Sequence, residues 1–298
     1  PEGTRLATSG YDYNVKVWDS ADLTAPLNRS YTGIIWTVAW SPDGSRVASA
    51  AFDNTVKTWD SADLSALATG DEHTDRVLSV AWSPDSSRLA STSRDGRVKV
   101  WNSSNLSAAL DTSSTPQLSS ERPLTSVAWS PDGHRLATGS GDNSIQLWRS
   151  ADLMRLDMGN GHLESVWSVA WSPDGGRLAS GSYDNTVRVW NSSNLTPLAH
   201  DDVGVVVNAV AWSPDGMRVA SATGSYDFRL RLSSEDAAVR IWDTGCSTDS
   251  PPPRPSSPAP SPAAPAPPSA PFLVSGDVIS LGTANDHNDG FSTVTAAG

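Results

Sequence analysis

The sequence predicts an all-β fold in which one unit of four short antiparallel strands repeats around an axis, a β-propeller, and three observations carry that prediction. The first is compositional: 13 Trp stand against 4 Phe and 5 Tyr in 298 residues, an imbalance produced by copying one Trp-bearing unit. The second is a period. Ala-Trp-Ser-Pro-Asp occurs with its Trp at 40, 82, 129, 171 and 212, in steps of 42, 47, 42 and 41. A second Trp closes runs such as Thr-Val-Arg-Val-Trp at 18, 59, 101, 148, 190 and 242, and it follows the first by 19 residues in all complete copies except the last, where the gap is 30. The third is alternation: apolar residues recur at period two in short runs between turn residues, with no helical period.

Each element follows from local chemistry. Pro1-Glu2-Gly3 aligns with the Pro-Asp-Gly that follows the inner strand of the other copies, so the first unit is expected to lack that strand. An unpaired edge of that kind is one natural sheets avoid, and the chain reads as cut from a longer protein. In the unit after it has settled, Val166 to Trp171 alternates as a first strand, and Ser172-Pro173-Asp174-Gly175 is a type I turn. Arg177 to Ser182 is the second strand. Asp184-Asn185 turns the chain with residues that tolerate left-handed backbone, and Val187 to Trp190 is a third strand rich in β-branched residues. A weaker fourth strand is expected after Asn194-Leu195. Such units bury their faces by radial stacking. In the sixth, Thr223 to Glu235 hold the extra residues, and Phe228, Leu230 and Leu232 alternate there with Arg229 and Arg231 as in a β-arm. Asp236 keeps the usual distance to Trp242. Residues 1–243 are therefore assigned to the propeller. Residues 244–271, dense in Pro, Ala and Ser, form an extended linker. Residues 272–298 form a short tail that begins another domain, supplies a strand to the ring or is disordered, with Phe272 to Leu281 as the run offered for the missing strand.

Charge removes several function classes. With 21 basic and 33 acidic residues, net −12, the chain does not have the surface of a nucleic-acid binder. The single cysteine, Cys246, forms neither an internal disulfide nor a multi-thiolate metal site, which fits a cytoplasmic setting. No apolar run approaches the roughly 18 residues of a membrane helix, so no membrane partner is expected. Asn285 to Gly290 imitates a calcium loop, but its twelfth position is Ala296 instead of a carboxylate; no metal and no cofactor are expected. The sequons at Asn28, Asn102, Asn105, Asn191 and Asn194 come mostly from one copied turn.

These repeats resemble the WD-repeat, β-transducin-type, propellers, whose unit joins a Gly-His, a Ser-Pro-Asp-Gly turn, a Leu-Ala-Ser-Gly-Ser strand and a closing Trp-Asp. Trp-Asp stands at Trp18-Asp19, Trp59-Asp60 and Trp242-Asp243, with Asn102, Arg149 and Asn191 replacing the Asp elsewhere. The resemblance implies a structural tetrad of His73, Ser91, Asp95 and Trp101, and another of His162, Ser180, Asp184 and Trp190. Tyr31, Ser120 and Val203 occupy the His position in other units. The turn Asp recurs at 12, 53, 95, 142, 184 and 236.

Ser, His and Asp are the ingredients of a nucleophilic triad, but a trio that recurs with an indole donor reads as a buried relay between strands. The inner strands carry no Asp, Glu, His, Lys or Arg, so no general acid or base is expected at the axis, and the segment is read as non-enzymatic. Function then falls to loops on a rigid ring. The residue before the turn Asp reads Tyr11, Phe52, Arg94, Gly141, Tyr183 and Glu235. The residue four before the first Trp reads Trp36, Leu78, Thr125, Trp167 and Asn208. The resemblance implies that both positions border the propeller's top entrance. Tyr11, Trp36, Phe52, Leu78, Arg94, Trp167 and Tyr183, with Phe228, Arg229 and Arg231 of the arm, are the candidate partner-binding residues, since aromatics and Arg dominate interface hot spots. Packing between blades is the competing reading of the large side chains. The expected function is a scaffold that binds a peptide or protein on this rim; the alternative is a sensory or regulatory propeller attached to an effector enzyme outside this chain. The oligomeric state is left open.

Overall fold

The computed structural model describes residues 3–111, 122–224, 238–244, 278–282 and 291–296, of which 108–109, 278–282 and 291–296 by backbone alone. Every regular element among them is a strand. Blade one holds β1 (Arg5–Ser9), β2 (Asn14–Asp19) and β3 (Leu27–Ser30). Blade two holds β4 (Ile35–Trp40), β5 (Arg46–Ala51), β6 (Val56–Asp60) and β7 (Ala66–Gly70). Blade three holds β8 (Val77–Trp82), β9 (Arg88–Ser93), β10 (Val98–Asn102) and β11 (Ala108–Asp111). Blade four holds β12 (Leu124–Trp129), β13 (Arg135–Ser140), β14 (Ile145–Arg149) and β15 (Arg155–Gly159). Blade five holds β16 (Val166–Trp171), β17 (Arg177–Ser182), β18 (Thr186–Asn191) and β19 (Pro197–Asp202). Blade six holds β20 (Val207–Trp212), β21 (Arg218–Thr223) and β22 (Ala238–Asp243); from the far end of the chain come β23 (Val278–Gly282) and β24 (Phe291–Ala296). Phe228, Arg229, Arg231, Ser120, Asp236, Cys246 and the 285–290 loop lie outside the described residues.

Each sheet is a simple antiparallel meander, and the inner strands β4, β8, β12, β16 and β20 each pack against the next. Blade one, whose own repeat was expected to lack its inner strand, is completed by strands from the far end of the chain. Its sheet runs β23-β24-β1-β2-β3, with Leu6 opposite Ala296 and Thr8 opposite Val294. In blade two Val47 faces Trp40 and Ser49 faces Val38, so β24 occupies the inner-strand position that the N-terminal end of this chain does not supply. The strand on β1 is Phe291–Ala296; the Phe272 to Leu281 run instead contributes to β23, on the far side of β24. β23 packs on β20 and β24 on β4, which closes the ring. Blade six shows three strands among the described residues.

The core lies between blades. Trp101, Trp148 and Trp190 are among the largest fully buried side chains, and each of five apolar clusters draws residues from two adjacent blades. A polar latch repeats at every such seam. The Arg that opens each second strand lies over the inner-strand Trp of the next blade: Arg5 over Trp40, Arg46 over Trp82, Arg88 over Trp129, Arg135 over Trp171 and Arg177 over Trp212, at 4.6–5.0 Å. Arg135 also donates to the Ser192 carbonyl at 2.6 Å. The indoles of Trp82, Trp129, Trp171 and Trp212 donate back to Ala39, Ala81, Ala128 and Ala170 carbonyls at 3.1–3.2 Å.

The latch fails where β24 stands in. Arg218 would meet the position of Ala296, which carries no aromatic ring, and it lies 4.0 Å from Asp215 instead. Trp40 Nε1, whose acceptor in this scheme falls on β24, has no hydrogen-bond partner. Arg135→Ala is therefore expected to lower stability by about 1–3 kcal/mol through the lost cation–π contact and charged hydrogen bond. Arg218→Ala should cost under about 0.5 kcal/mol. Urea denaturation of both variants checks the difference, and equal losses would remove the latch as its explanation.

Candidate protein-binding face

The face is built by one turn used repeatedly. Asp53, Asp95, Asp142 and Asp184 each accept the backbone N–H two residues on, at 2.9–3.2 Å, and the residue between is left-handed: Asn54 at φ 70, Gly96 at 75, Asn143 at 73 and Asn185 at 68. Asn, Asp and Gly bear that geometry at low cost, which is why the sequence keeps them there. The residue before each Asp is then tied to the entry of the same blade's inner strand. Phe52 N–H donates to Ile34, Arg94 to Arg76, Gly141 to Pro123 and Tyr183 to Ser165 carbonyls, at 2.8–3.0 Å. Both series of rim positions thus converge on one end of the ring.

Behind the rim, blades three and five carry the relay in full. His73 Nδ1 lies 2.8 Å from Asp95 and its Nε2 2.8 Å from Ser91 Oγ, which accepts Trp101 Nε1–H at 2.7 Å. His162 Nδ1 lies 2.9 Å from Asp184 and its Nε2 2.7 Å from Ser180 Oγ, which accepts Trp190 Nε1–H at 2.8 Å. Since Ser180 already accepts from the indole, its own O–H donates to His162 Nε2, and His162 Nδ1–H donates to the carboxylate. Burial lowers the His162 pKa, against the pull of Asp184, and favours this neutral ring. Burial raises Asp184, but the Thr186 hydroxyl, the Leu163 amide and His162 outweigh it and hold the carboxyl at about 2. Asp95 is likewise lowered despite burial, by His73 and the Thr74 and Arg97 amides.

In blades one, two, four and six the described residues show the indole half of the relay. Trp18, Trp59, Trp148 and Trp242 donate to Thr8, Ser49, Thr138 and Ser221 hydroxyls at 2.8–3.2 Å. Tyr31 replaces His in blade two, bonds Thr55 through its hydroxyl and lies under Lys57 Nζ at 3.8 Å; burial raises its pKa. Val203 is 3% exposed in the apolar seam of blades five and six. Ser91 and Ser180 are both 0% exposed, so no substrate reaches either hydroxyl.

At the mouth, four candidate residues form one aromatic band. Phe52 stacks on Trp36 at 5.1 Å, Trp36 meets Trp167 at 6.3 Å, and Trp167 stacks on Tyr183 at 5.0 Å. Trp36 belongs to blade two and Trp167 to blade five, which stand opposite each other in the ring, so the band crosses the central opening. Trp36, Phe52 and Trp167 are half-buried and Tyr183 is exposed. Trp167 Nε1 is buried without a hydrogen-bond partner. Arg76, not expected from the sequence, lies over Phe52 at 4.6 Å. The signal was available, since Arg76 directly precedes β8 and its carbonyl accepts the N–H of the rim residue Arg94. Arg94 is exposed and Tyr11 half-buried. Leu78 leaves the candidate surface: it is 8% exposed, covered where β8 is flanked by β4 and β12. Thr125, at the same series position, is buried and bonds the Val166 carbonyl. Among the described residues no group of three His, Cys, Asp or Glu could hold a metal ion, and no helix is long and apolar enough to cross a membrane.

A family model described as WD domain, G-beta repeat, matches residues 1–19, 25–60, 65–102, 114–149, 155–191 and 193–243. The chain belongs to the WD-repeat family. In this WD-repeat protein the matched spans are offset from the blades: 25–60 takes β3 from blade one with β4, β5 and β6 of blade two. The spans 25–60, 65–102, 155–191 and 193–243 each carry the outer strand of one blade and three strands of the next, which ties those neighbours together covalently. Among solved structures the chain is similar to one in the crystal structure of a mitotic checkpoint complex, with TM-score 0.69 and 24% identity over 82% of this chain and 74% of that one. At that identity the likeness concerns the fold. No curated protein matches the chain.

Proposed function

We propose that this WD-repeat propeller is a non-enzymatic scaffold that binds a peptide or protein partner on the aromatic band at the mouth of the ring. The observation that carries the reading is the position of the four rings. They do not fill a seam between adjacent blades, where the Arg–Trp latches and apolar clusters already close the packing, but bridge opposite blades at an open face. Aromatic side chains with Arg76 over Phe52 match the composition of interface hot spots. The inaccessible Ser-His-Asp arrangements support a non-catalytic role.

The test compares the full chain with Trp36→Ala/Trp167→Ala/Tyr183→Ala in affinity capture from source lysate, after circular dichroism and thermal melts establish that both fold. Partners held by the parent should fall at least about tenfold in the variant, as loss of two or three hot-spot residues implies. An unchanged partner set would reassign the band to closing the central opening.

A further inference from the structure

We propose that the seam between blades six and one is an intramolecular docking groove, and that Phe272-Leu273-Val274 of this chain is its occupant. The groove stands out by comparison with the other seams. Val239 and Ile241 on β22 are 53% and 52% exposed. The residues at these two positions in the five other blades, Ile145 and Leu147 among them, are at most 8% exposed, because the next blade covers them. The facing wall, on blade one, is open to match. Leu23 is 55% exposed where Leu64, Leu106, Leu153 and Leu195 are at most 4%. Leu6 and Trp18 are half-buried, and their counterparts Leu178 and Trp190 are 0% exposed. Five side chains of a kind that the other seams bury thus line one apolar cleft.

The cause lies at the axis. In the preceding seam β16 packs directly on β20, but here β23 stands between β20 and β24. An extra strand on the inner side holds the two blades apart farther out. The latch that draws other blades together is also missing, since Arg218 has no ring to lie over. Apolar walls on both sides of a cleft favour an occupant that buries apolar side chains against them.

Position and composition select the occupant. Thr244 follows β22, which forms one wall, and Val278 opens β23, the strand at the inner end of the cleft, so the chain between them starts and finishes at this seam. Val278 pairs with Thr295, beside Ala296, and Ala296 pairs with Leu6, which faces Trp18. The chain therefore enters β23 at the end of the ring where Leu6, Trp18 and Leu23 lie. Between Thr244 and Val278 the only aromatic or branched apolar side chains are Phe272, Leu273 and Val274, in a stretch otherwise dominated by Pro, Ala and Ser. Six extended residues, the distance from Phe272 to Val278, reach about 20 Å, and a blade of four strands spaced about 4.8 Å is no wider than that. The 225–237 insertion also carries apolar residues, but Thr223 and Ala238 flank it at the mouth end of blade six, away from Leu6 and Leu23.

Thiol labelling of the full chain is the test, because Cys246 is the one native cysteine. In a Cys246→Ser background, Val274→Cys should react with a maleimide at least about tenfold more slowly than Ser261→Cys in the Pro-rich stretch. Ile241→Ser, which spoils one wall, should raise the Val274→Cys rate to that of Ser261→Cys, whereas Phe228→Ser should leave it unchanged. Phe272→Ser/Leu273→Ser should lower the thermal midpoint by about 5 °C, and most of that loss should vanish in an Ile241→Ser background, because both changes break one contact. Equal labelling rates at 274 and 261 would overturn the proposal, as would additive midpoint shifts. Protection relieved by Phe228→Ser in place of Ile241→Ser would give the groove to the insertion. Protection that disappears on dilution from about 100 µM to about 1 µM would give it to a second copy, and either result overturns the assignment. None of these changes touches Trp36, Trp167 or Tyr183, so this inference and the rim reading fail separately.

Discussion

Trp190→Ala is expected to destabilise the propeller by about 3–5 kcal/mol, the largest loss from any single substitution considered. The indole is 0% exposed, packs with Ile145, Leu147, Val166 and Leu178 in the seam between blades four and five, and donates to Ser180 Oγ. Two costs add. The cavity is lined by close-packed neighbours on two sheets, since Gly159 and Gly161 approach the ring so nearly that a Cβ on either would sit 3.1–3.5 Å from Trp190 or Leu195 atoms. The Ser180 hydroxyl and the His162 ring behind it also lose the donor that orients them. Trp18→Ala is the control: its indole makes the same bond to Thr8 but is half-buried in the end blade, and its loss should be clearly smaller. Urea unfolding followed by far-ultraviolet circular dichroism measures both. Equal losses would mean that the seam does not carry the energy assigned to it.

How far the sequence reveals such a fold depends on whether an element is held by its own turn chemistry or by the closure of the ring. Strands two and three of each blade were legible because Ser-Pro-Asp-Gly and Asp-Asn turns fix their register locally, and with it the meeting of Ser180, Asp184 and Trp190. β24 was not. Its Thr293-Val294 stand in the register of Thr37-Val38, but Ala296 takes the place of Trp40 and no Ser-Pro-Asp follows, so a search led by tryptophan passes over it. Only the need to cover the edge of β1 assigns it a place. The candidate site shows the same division. Convergence of the two rim series is local, through bonds such as Tyr183 N–H to the Ser165 carbonyl. The meeting of Trp36 and Trp167 is not local, because it requires six blades and a closed circle to set the second and fifth opposite each other. Leu78 shares its series position with Trp36, yet a shorter side chain there is covered by flanking strands where an indole reaches the mouth.

Acid should act on the same buried relay in two separable windows, and Asp184→Ala should erase one of them. Asp184 accepts from Thr186 N–H at 2.9 Å, the Thr186 hydroxyl at 2.7 Å, Leu163 N–H at 2.9 Å and His162 Nδ1 at 2.9 Å. With its folded pKa at about 2 against an ordinary 3.8, the unfolded chain binds the proton first, so this carboxylate's contribution is complete above about 3.8 and is lost as pH falls through about 2. His162, also lowered in the fold, acts in the same direction but earlier: its neutral form costs nothing above its ordinary 6.5, and stability declines below that as the unfolded chain takes up the proton. At pH 7 Asp184→Ala leaves His162 and two backbone donors without their acceptor, and a loss of about 3 kcal/mol is expected. At pH 5, where Asp184 is still ionised in both states, the gap between parent and variant should not narrow, because both proteins weaken through the histidine and the variant, whose His162 lacks the pull of Asp184, weakens at least as much. Below pH 4 the gap should narrow, because the parent then loses what the variant never had. Urea midpoints at pH 7, 5 and 3 separate the windows, and a gap that stays constant down to pH 2.5 would show that Asp184 serves the turn through its shape and not through its charge.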